Sequence, residues 1–269
     1  MIFCVVKCQF TSANTQKKVP LRQRFRMAEA LVIIPTFNES ENIEKLLRNV
    51  FSLQRSFSVL VVDDGSPDGT AEIVEQLMEE FTDHLYLLKR TQKTGLGRAY
   101  LAGFEWALER DFSLIFEMDA DFSHNPNDLM RLYNCCTKEG YDMAIGSRYI
   151  TGVNVVNWPM SRVLLSWSAS KYVQWVTGIP IKDTTAGFVC YQREVIEKLD
   201  LSRIRFIGYA FQIEMKYKAF LKGFKIKEIP VVFTDRTRGT SKMSKGIISE
   251  AIFGVLSMRF KRLINRLVI

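Results

Sequence analysis

Short apolar runs alternate with amphipathic stretches from residue 30 onward, and this alternation limits the chain to an α/β fold, a mainly parallel sheet flanked by helices. Residues 31–34 form the first expected strand, ended by Pro35. Ser40 is the expected N-cap of a helix whose Ile43, Leu46, Leu47 and Val50 recur at helical spacing. Residues 57–62 are the second strand, and Ile73, Val74, Leu77 and Phe81 mark one face of the next helix. Further strands are expected at 85–88, in the run that ends at Asp119, and at 143–145. The helices between them include one running to about Arg110 and one entered through Asn125-Pro126. Beyond an irregular connection at 146–159, the pattern predicts helices at 160–177 and 208–221 and strands at 187–191 and 224–233. One large domain is the better expectation for a chain of 269 residues.

Ligands of open α/β sheets collect at the carboxyl ends of the strands. Three such ends here carry polar clusters: Pro35-Thr36-Phe37-Asn38-Glu39, Asp63-Asp64 and Asp119-Ala120-Asp121. Two carboxylates one residue apart suit a hard divalent cation, Mg²⁺ or Mn²⁺, carrying a diphosphate; taken alone, they serve equally well as caps for the following helix. The turn after the first strand has no glycine, which removes a dinucleotide-dependent oxidoreductase, and no Walker A loop is present.

The net charge of +8 is concentrated at the ends. Residues 1–26 carry six basic and no acidic side chains, and residues 236–269 carry eight basic against one acidic, so the body between them is net negative. That distribution fits an anionic surface or ligand near the ends and excludes a basic nucleic-acid groove. The five cysteines have neither disulfide nor metal-ligand spacing, as expected of reduced cytoplasmic thiols. Residues 1–26 show no structural period and are expected to be a disordered arm.

As an ordered set, these motifs resemble the family 2 inverting glycosyltransferases with a GT-A nucleotide-sugar-binding fold. The resemblance runs through Ile34-Pro35-Thr36-Phe37-Asn38-Glu39, Val62-Asp63-Asp64-Gly65-Ser66-Pro67-Asp68-Gly69-Thr70, Gly95-Leu96-Gly97 and Met118-Asp119-Ala120-Asp121. The second half is most similar to the polyprenol (dolichol) phosphate mannose synthases. It carries Gly146-Ser147-Arg148-Tyr149, Trp158 with Ser161-Arg162, Asp183-Thr184-Thr185-Ala186-Gly187-Phe188, Gly208-Tyr209-Ala210-Phe211-Gln212-Ile213-Glu214, and Asp235-Arg236 followed by Gly239-Thr240-Ser241-Lys242. The implied domain spans 27–245, with a nucleotide-binding half at about 27–147 and an acceptor half at about 148–245.

The resemblance implies that Pro35, Phe37, Asn38, Glu39, Val62 and Asp64 hold the nucleotide and that Asp119, Ala120 and Asp121 serve the donor diphosphate. Asp119 and Asp121 would hold the metal. Ser123 stands where some relatives have a glutamine that contacts it, and Phe37 stands where a tyrosine is frequent. The implied reaction moves mannose from GDP-mannose to a polyprenyl (dolichyl) phosphate. UDP-glucose as donor to the same kind of acceptor is the alternative, and a non-catalytic membrane-associated binding protein a more distant one. A lipid monophosphate has a second pKa of about 6 and is mostly ionised near neutrality, so the acceptor needs positive charge more than a base. Arg148, Arg162, Arg236 and Lys242 can supply that charge, and Asp121, Arg148, Arg162 and Arg236 form the expected catalytic set. His124 is expected to be a local or supporting residue, and Glu214 a structural one.

A lipid acceptor requires work at a bilayer, here as a peripheral protein on the cytoplasmic face. Ile248, Ile252, Val255, Leu256, Phe260, Leu263 and Leu267 form an apolar stripe opposite Arg259, Arg262 and Arg266, so residues 246–269 are expected to be an amphipathic C-terminal helix that lies on an anionic membrane or docks on the core. The chain resembles the compact members of the group, some of which rely on a separate membrane subunit.

Overall fold

The computed structural model describes residues 29–235 and 252–260. Strands β1 (Ala30–Thr36), β2 (Ser58–Asp63), β3 (Leu85–Lys89), β4 (Leu114–Glu117), β5 (Met143–Ser147), β7 (Val189–Gln192) and β8 (Ile226–Pro230) form one sheet in the order β3-β2-β1-β4-β7-β5-β8. Every pairing is parallel except those of β7 with β4 and β5. Alternate side chains of β1 point to opposite faces: Leu31 and Ile33 join the core under helices α3 (Leu96–Leu108) and α7 (Tyr209–Leu221). Val32 and Ile34 join the core under α1 (Ile43–Phe51), α2 (Thr70–Glu80) and α4 (Asp128–Thr137). Burial on both faces explains why these strands read as continuous apolar runs.

The chain order reverses at β1, which lies between β2 and β4. A crevice opens at such a switch point, outside the carboxyl ends of the strands. The carboxyl ends of β2, β1 and β4 are therefore adjacent. Strand β5, parallel to β4 across the antiparallel β7, delivers Arg148 to the same edge.

Several element ends differ from the sequence expectations. Pro35 does not end β1; it pairs with Val62, and because the β1–β4 register stops at Ile33 and Glu117, its missing N–H is not needed by β4. Helix α1 starts at Ile43 after Asn42 and not directly after Ser40, whose amide donates to Asp68 Oδ2. Asn125 accepts the Asn127 amide at 3.1 Å, the bond expected of an N-cap, and the turn entered at Pro126 runs into the regular helix α4 from Asp128. The expected 224–233 strand breaks after Pro230. Its remainder, β9 (Phe233–Thr234), pairs with β6 (Val155–Val156) inside the connection expected to be irregular. Helix α6 (Arg193–Lys198) and a 3-10 turn at Leu201–Arg203 were not legible.

Helix α5 (Met160–Thr177) buries only Ser170, Val173 and Thr177, while Met160, Leu164, Leu165, Trp167 and Trp175 are exposed. Beside it, residues 252–260 are helical. Val255 is buried in the core, the Ile252 carbonyl accepts the Tyr172 hydroxyl at 3.0 Å, and Gly254 lies so close to Phe206 that a Cβ would clash. Ile252, Phe253, Leu256 and Phe260 stay exposed. The expected arm at 1–26 and most of the expected C-terminal helix lie outside the described residues. No described helix is long and apolar enough to cross a membrane.

Candidate active site

Two strand-end loops interlock on the β1–β2 side. The successive amides of Asn38, Glu39 and Ser40 donate to Ser66 Oγ, Thr70 Oγ1 and Asp68 Oδ2 at 2.9, 3.0 and 3.0 Å. Asn38 can take part because it adopts a left-handed φ of 58°, which asparagine tolerates better than most residues. Asp63 accepts Thr36 Oγ1 at 2.8 Å and the Ser66 amide at 2.9 Å. Burial opposes ionisation of the Asp68 carboxyl, but bonds from Thr70 and Ser40 outweigh it and hold the pKa below the ordinary value. At Asp64 burial wins: its pKa is raised although Arg90 donates to it at 2.6 Å. Lys93 sits 4.2 Å from the centre of the Phe37 ring.

The acidic turn follows β4. The Tyr100 hydroxyl donates to Asp119 Oδ1 at 3.3 Å, and Asp121 Oδ1 accepts the Ser123 amide at 3.1 Å. Phe122 between them has φ 59°, a costly conformation for a non-glycine residue that the surrounding packing must maintain. The Ser123 hydroxyl is buried without a hydrogen-bond partner among the described residues, as are both ring nitrogens of His124. His124 stacks on Phe188 at 4.8 Å and lies 3.8 Å from Asp119 Oδ2. It does not cap the following helix; its place beside Asp119 fits the supporting role that the sequence also offered.

Arg148 is committed to Asp183. Its backbone N and Nε donate to Asp183 Oδ2 at 2.9 and 2.7 Å, and one terminal nitrogen donates to Asp183 Oδ1 at 2.6 Å and to Thr185 Oγ1 at 2.9 Å. Burial disfavours the Asp183 carboxylate, yet the arginine more than compensates and its pKa is lowered. Arg162 donates to Asp235 at 2.8 Å and lies 4.1 Å above the Trp158 ring.

Behind Asp119 lies a charged network that sequence reasoning did not single out. Glu117 and Lys216 are fully buried. Gln212 Nε2 donates to Glu117 Oε2 at 2.6 Å, and Lys216 Nζ donates to Gln212 Oε1 at 3.1 Å, to the Gln212 carbonyl at 3.2 Å and to the Ala186 carbonyl at 2.6 Å. Burial raises the Glu117 pKa to about 7 and lowers that of Lys216 to about 8, each partly offset by the other's charge. An acidic residue inside the apolar run of β4 was the available signal. Glu214 accepts the Arg205 and Phe206 amides at 2.9 and 3.3 Å, a structural role as expected.

A cavity of about 420 Å³ joins Asp119, Asp121, Arg148 and Arg162. It continues along an apolar wall that includes Leu165, Tyr172, Val173, Ile252 and Val255. Pro35, Phe37, Asn38, Glu39, Val62 and Asp64 lie on the adjoining β1 and β2 ends and do not line it, nor do Ala120 and Ser123. Arg236 and Lys242 lie outside the described residues.

The chain is 46% identical over 236 residues to the polyprenol monophosphomannose synthase of Mycolicibacterium smegmatis, covering 88% of this chain and 89% of that protein. It is 42% identical over 225 residues to the undecaprenyl-phosphate mannosyltransferase of Micrococcus luteus, covering 84% and 91%. Among solved structures it is similar to a mannosyltransferase from Pyrobaculum calidifontis in complex with GDP-Man and Mn²⁺, with a TM-score of 0.58 and 20% identity. That match covers 90% of this chain and 65% of the other. The Mycobacterium tuberculosis glucosyl-3-phosphoglycerate synthase in complex with Mn²⁺, UDP and phosphoglyceric acid gives 0.63 and 17%, covering 86% and 78%. At such identities the structures speak for the GT-A fold alone. Residues 31–200 match Glycosyl transferase family 2, and with the two close relatives this shows that the chain belongs to that family.

Proposed function

We propose that the protein transfers mannose from GDP-mannose to a polyprenyl phosphate, with inversion at the anomeric carbon. The observation that carries this reading is the cavity that places Asp119 and Asp121 on the same space as Arg148 and Arg162 and extends along an apolar wall. The two close relatives, named for polyprenol and undecaprenyl-phosphate mannosyl transfer, support the donor sugar and the acceptor class.

In this reading Phe37, Asn38, Glu39 and Asp64, with the Pro35 and Val62 backbone, bind the nucleoside. The diphosphate then reaches the acidic turn. The residues there fit a divalent ion: Asp119 and Asp121 both line the cavity, and in the same turn the buried Ser123 hydroxyl lacks a partner among the described residues. No group of three or more His, Cys, Asp or Glu side chains among the described residues makes an all-protein metal cage. That suits Mg²⁺ or Mn²⁺, which take one or two carboxylates and leave other positions to phosphate and water. Asp119 and Asp121 would hold the ion, with Ser123 as an outer contact. When bound, the ion supplies charge neutralisation for the departing diphosphate.

Arg162, with Arg148 behind it and Arg236 and Lys242 beyond the described residues, attracts the acceptor phosphate. One of its ionised oxygens is the nucleophile, so no side chain must remove a proton. Held in line with the anomeric carbon, it displaces the nucleoside diphosphate in one step, and a single displacement inverts the centre. The lipid tail follows the apolar wall between α5 and residues 252–260. The exposed Met160, Leu164, Trp167, Trp175 and Phe253 rest on the bilayer surface at its cytoplasmic face, where a membrane subunit can add to the attachment.

The donor assignment is tested by offering labelled GDP-mannose or UDP-glucose with Mn²⁺ or Mg²⁺ and a short polyprenyl phosphate. Preferred transfer from GDP-mannose is expected. Transfer from UDP-glucose alone overturns the donor assignment.

A further inference from the structure

Gly187 marks a small open cradle in the floor of the cavity. A Cβ built there would meet only Asp119 Oδ2 at 3.8 Å and Gln212 Nε2 at 3.9 Å, both ordinary contact distances. Its backbone conformation is not one of the positive-φ glycines, so nothing in the chain path requires glycine. The missing side chain therefore leaves space between a carboxylate oxygen and an amide nitrogen.

The amide's polarity is set from behind. A glutamine side chain can present either end, and here opposite buried charges choose: the Lys216 ammonium holds Oε1, and the Glu117 carboxylate holds Nε2. The donor end is thus fixed toward the cradle. Lys216 also holds the Ala186 carbonyl, immediately before Gly187, so one ammonium ties together both walls of the floor.

We propose that Gln212 contacts a hydroxyl of the transferred sugar in this cradle, with Lys216 as the residue that positions it. A hydroxyl suits the pair because it can both accept from Gln212 Nε2 and donate to Asp119 Oδ2, whereas a phosphate oxygen, an acceptor only, has no proton to give Asp119. The inference rests on the reading of the protein as a nucleotide-sugar-dependent enzyme and adds the residues that hold the sugar itself.

Gly187→Ala is the sharpest test, since the added methyl group fits the folded protein and fills only the cradle. Calorimetric affinities for GDP and for GDP-mannose, both with Mn²⁺, separate sugar from nucleotide. The variant keeps its melting temperature within about 2 °C and its GDP affinity within twofold, while its affinity for GDP-mannose falls at least tenfold. Lys216→Met provides the second arm. Paired with Glu117→Gln to remove the lone buried charge, it recovers thermal stability yet still binds GDP-mannose at least tenfold more weakly than the parent. Parental GDP-mannose affinity in Gly187→Ala, or in the paired variant, overturns the assignment while leaving the transferase reading intact. A parent protein that binds neither ligand overturns the transferase reading and this assignment with it.

Discussion

Arg148 and Asp183 form a buried two-point ion pair, with Asp183 fully enclosed and bonded to both the backbone and the guanidinium of Arg148. Asp183 thereby fixes the guanidinium at the cavity wall before any phosphate arrives. Desolvation makes such a pair costly to form, and removing one partner is far worse than replacing both.

Asp183→Asn should therefore destabilise the protein by about 3–5 kcal/mol, because the Arg148 charge is left uncompensated. Denaturant unfolding measures it. The folded Asp183 pKa is depressed, so its contribution is present above the ordinary carboxylate range and is lost only as the pH falls through the lowered value. A loss below about 1 kcal/mol would contradict a paired, desolvated arginine.

Glu117 gives the opposite pH dependence. Burial raises its pKa from 4.5 to about 7, so the folded state holds the proton more tightly than the unfolded state. Its contribution is largest below 4.5 and declines as the pH rises to about 7. In Glu117→Gln the fall in stability across that window should flatten. An unchanged slope would mean that another group carries the dependence.

Asp121→Asn should reduce turnover by roughly 100-fold or more, the scale of losing a charge that holds a divalent ion. The asparagine carbonyl can still accept the Ser123 amide, so the melting temperature should change little. Turnover near the parent level at saturating Mn²⁺ would remove Asp121 from the proposed ion site.

Trp175 is 84% exposed and Phe253 71% exposed. Charging both, as Trp175→Glu with Phe253→Glu, should cut sedimentation with anionic vesicles severalfold without changing transfer to a detergent-dispersed acceptor. Equal vesicle binding would mean that this face does not carry the membrane contact.

The sheet and its helices were legible because two-sided burial writes apolar runs into the strands and helical spacing into the covers. The strand ends of β1, β2 and β4 were legible for the same reason, since polar clusters stood out directly after those runs. Arg148 was visible as a cation but not as the partner of Asp183, because 35 residues separate them and only the fold brings them together. The Glu117–Gln212–Lys216 network was hidden likewise: Gln212 and Lys216 share a helix face, but their carboxylate lies 95 residues from Gln212 on a buried strand.

Mannosyl transfer to a polyprenyl phosphate is tested by an assay with the purified protein, radiolabelled GDP-mannose, undecaprenyl phosphate and Mn²⁺, read as label extracted into organic solvent. A lipid-linked mannosyl phosphate of inverted, β configuration is expected, formed only when the lipid phosphate is present. Label that never enters the lipid phase while the protein still binds GDP-mannose, or a product of retained configuration, would contradict it.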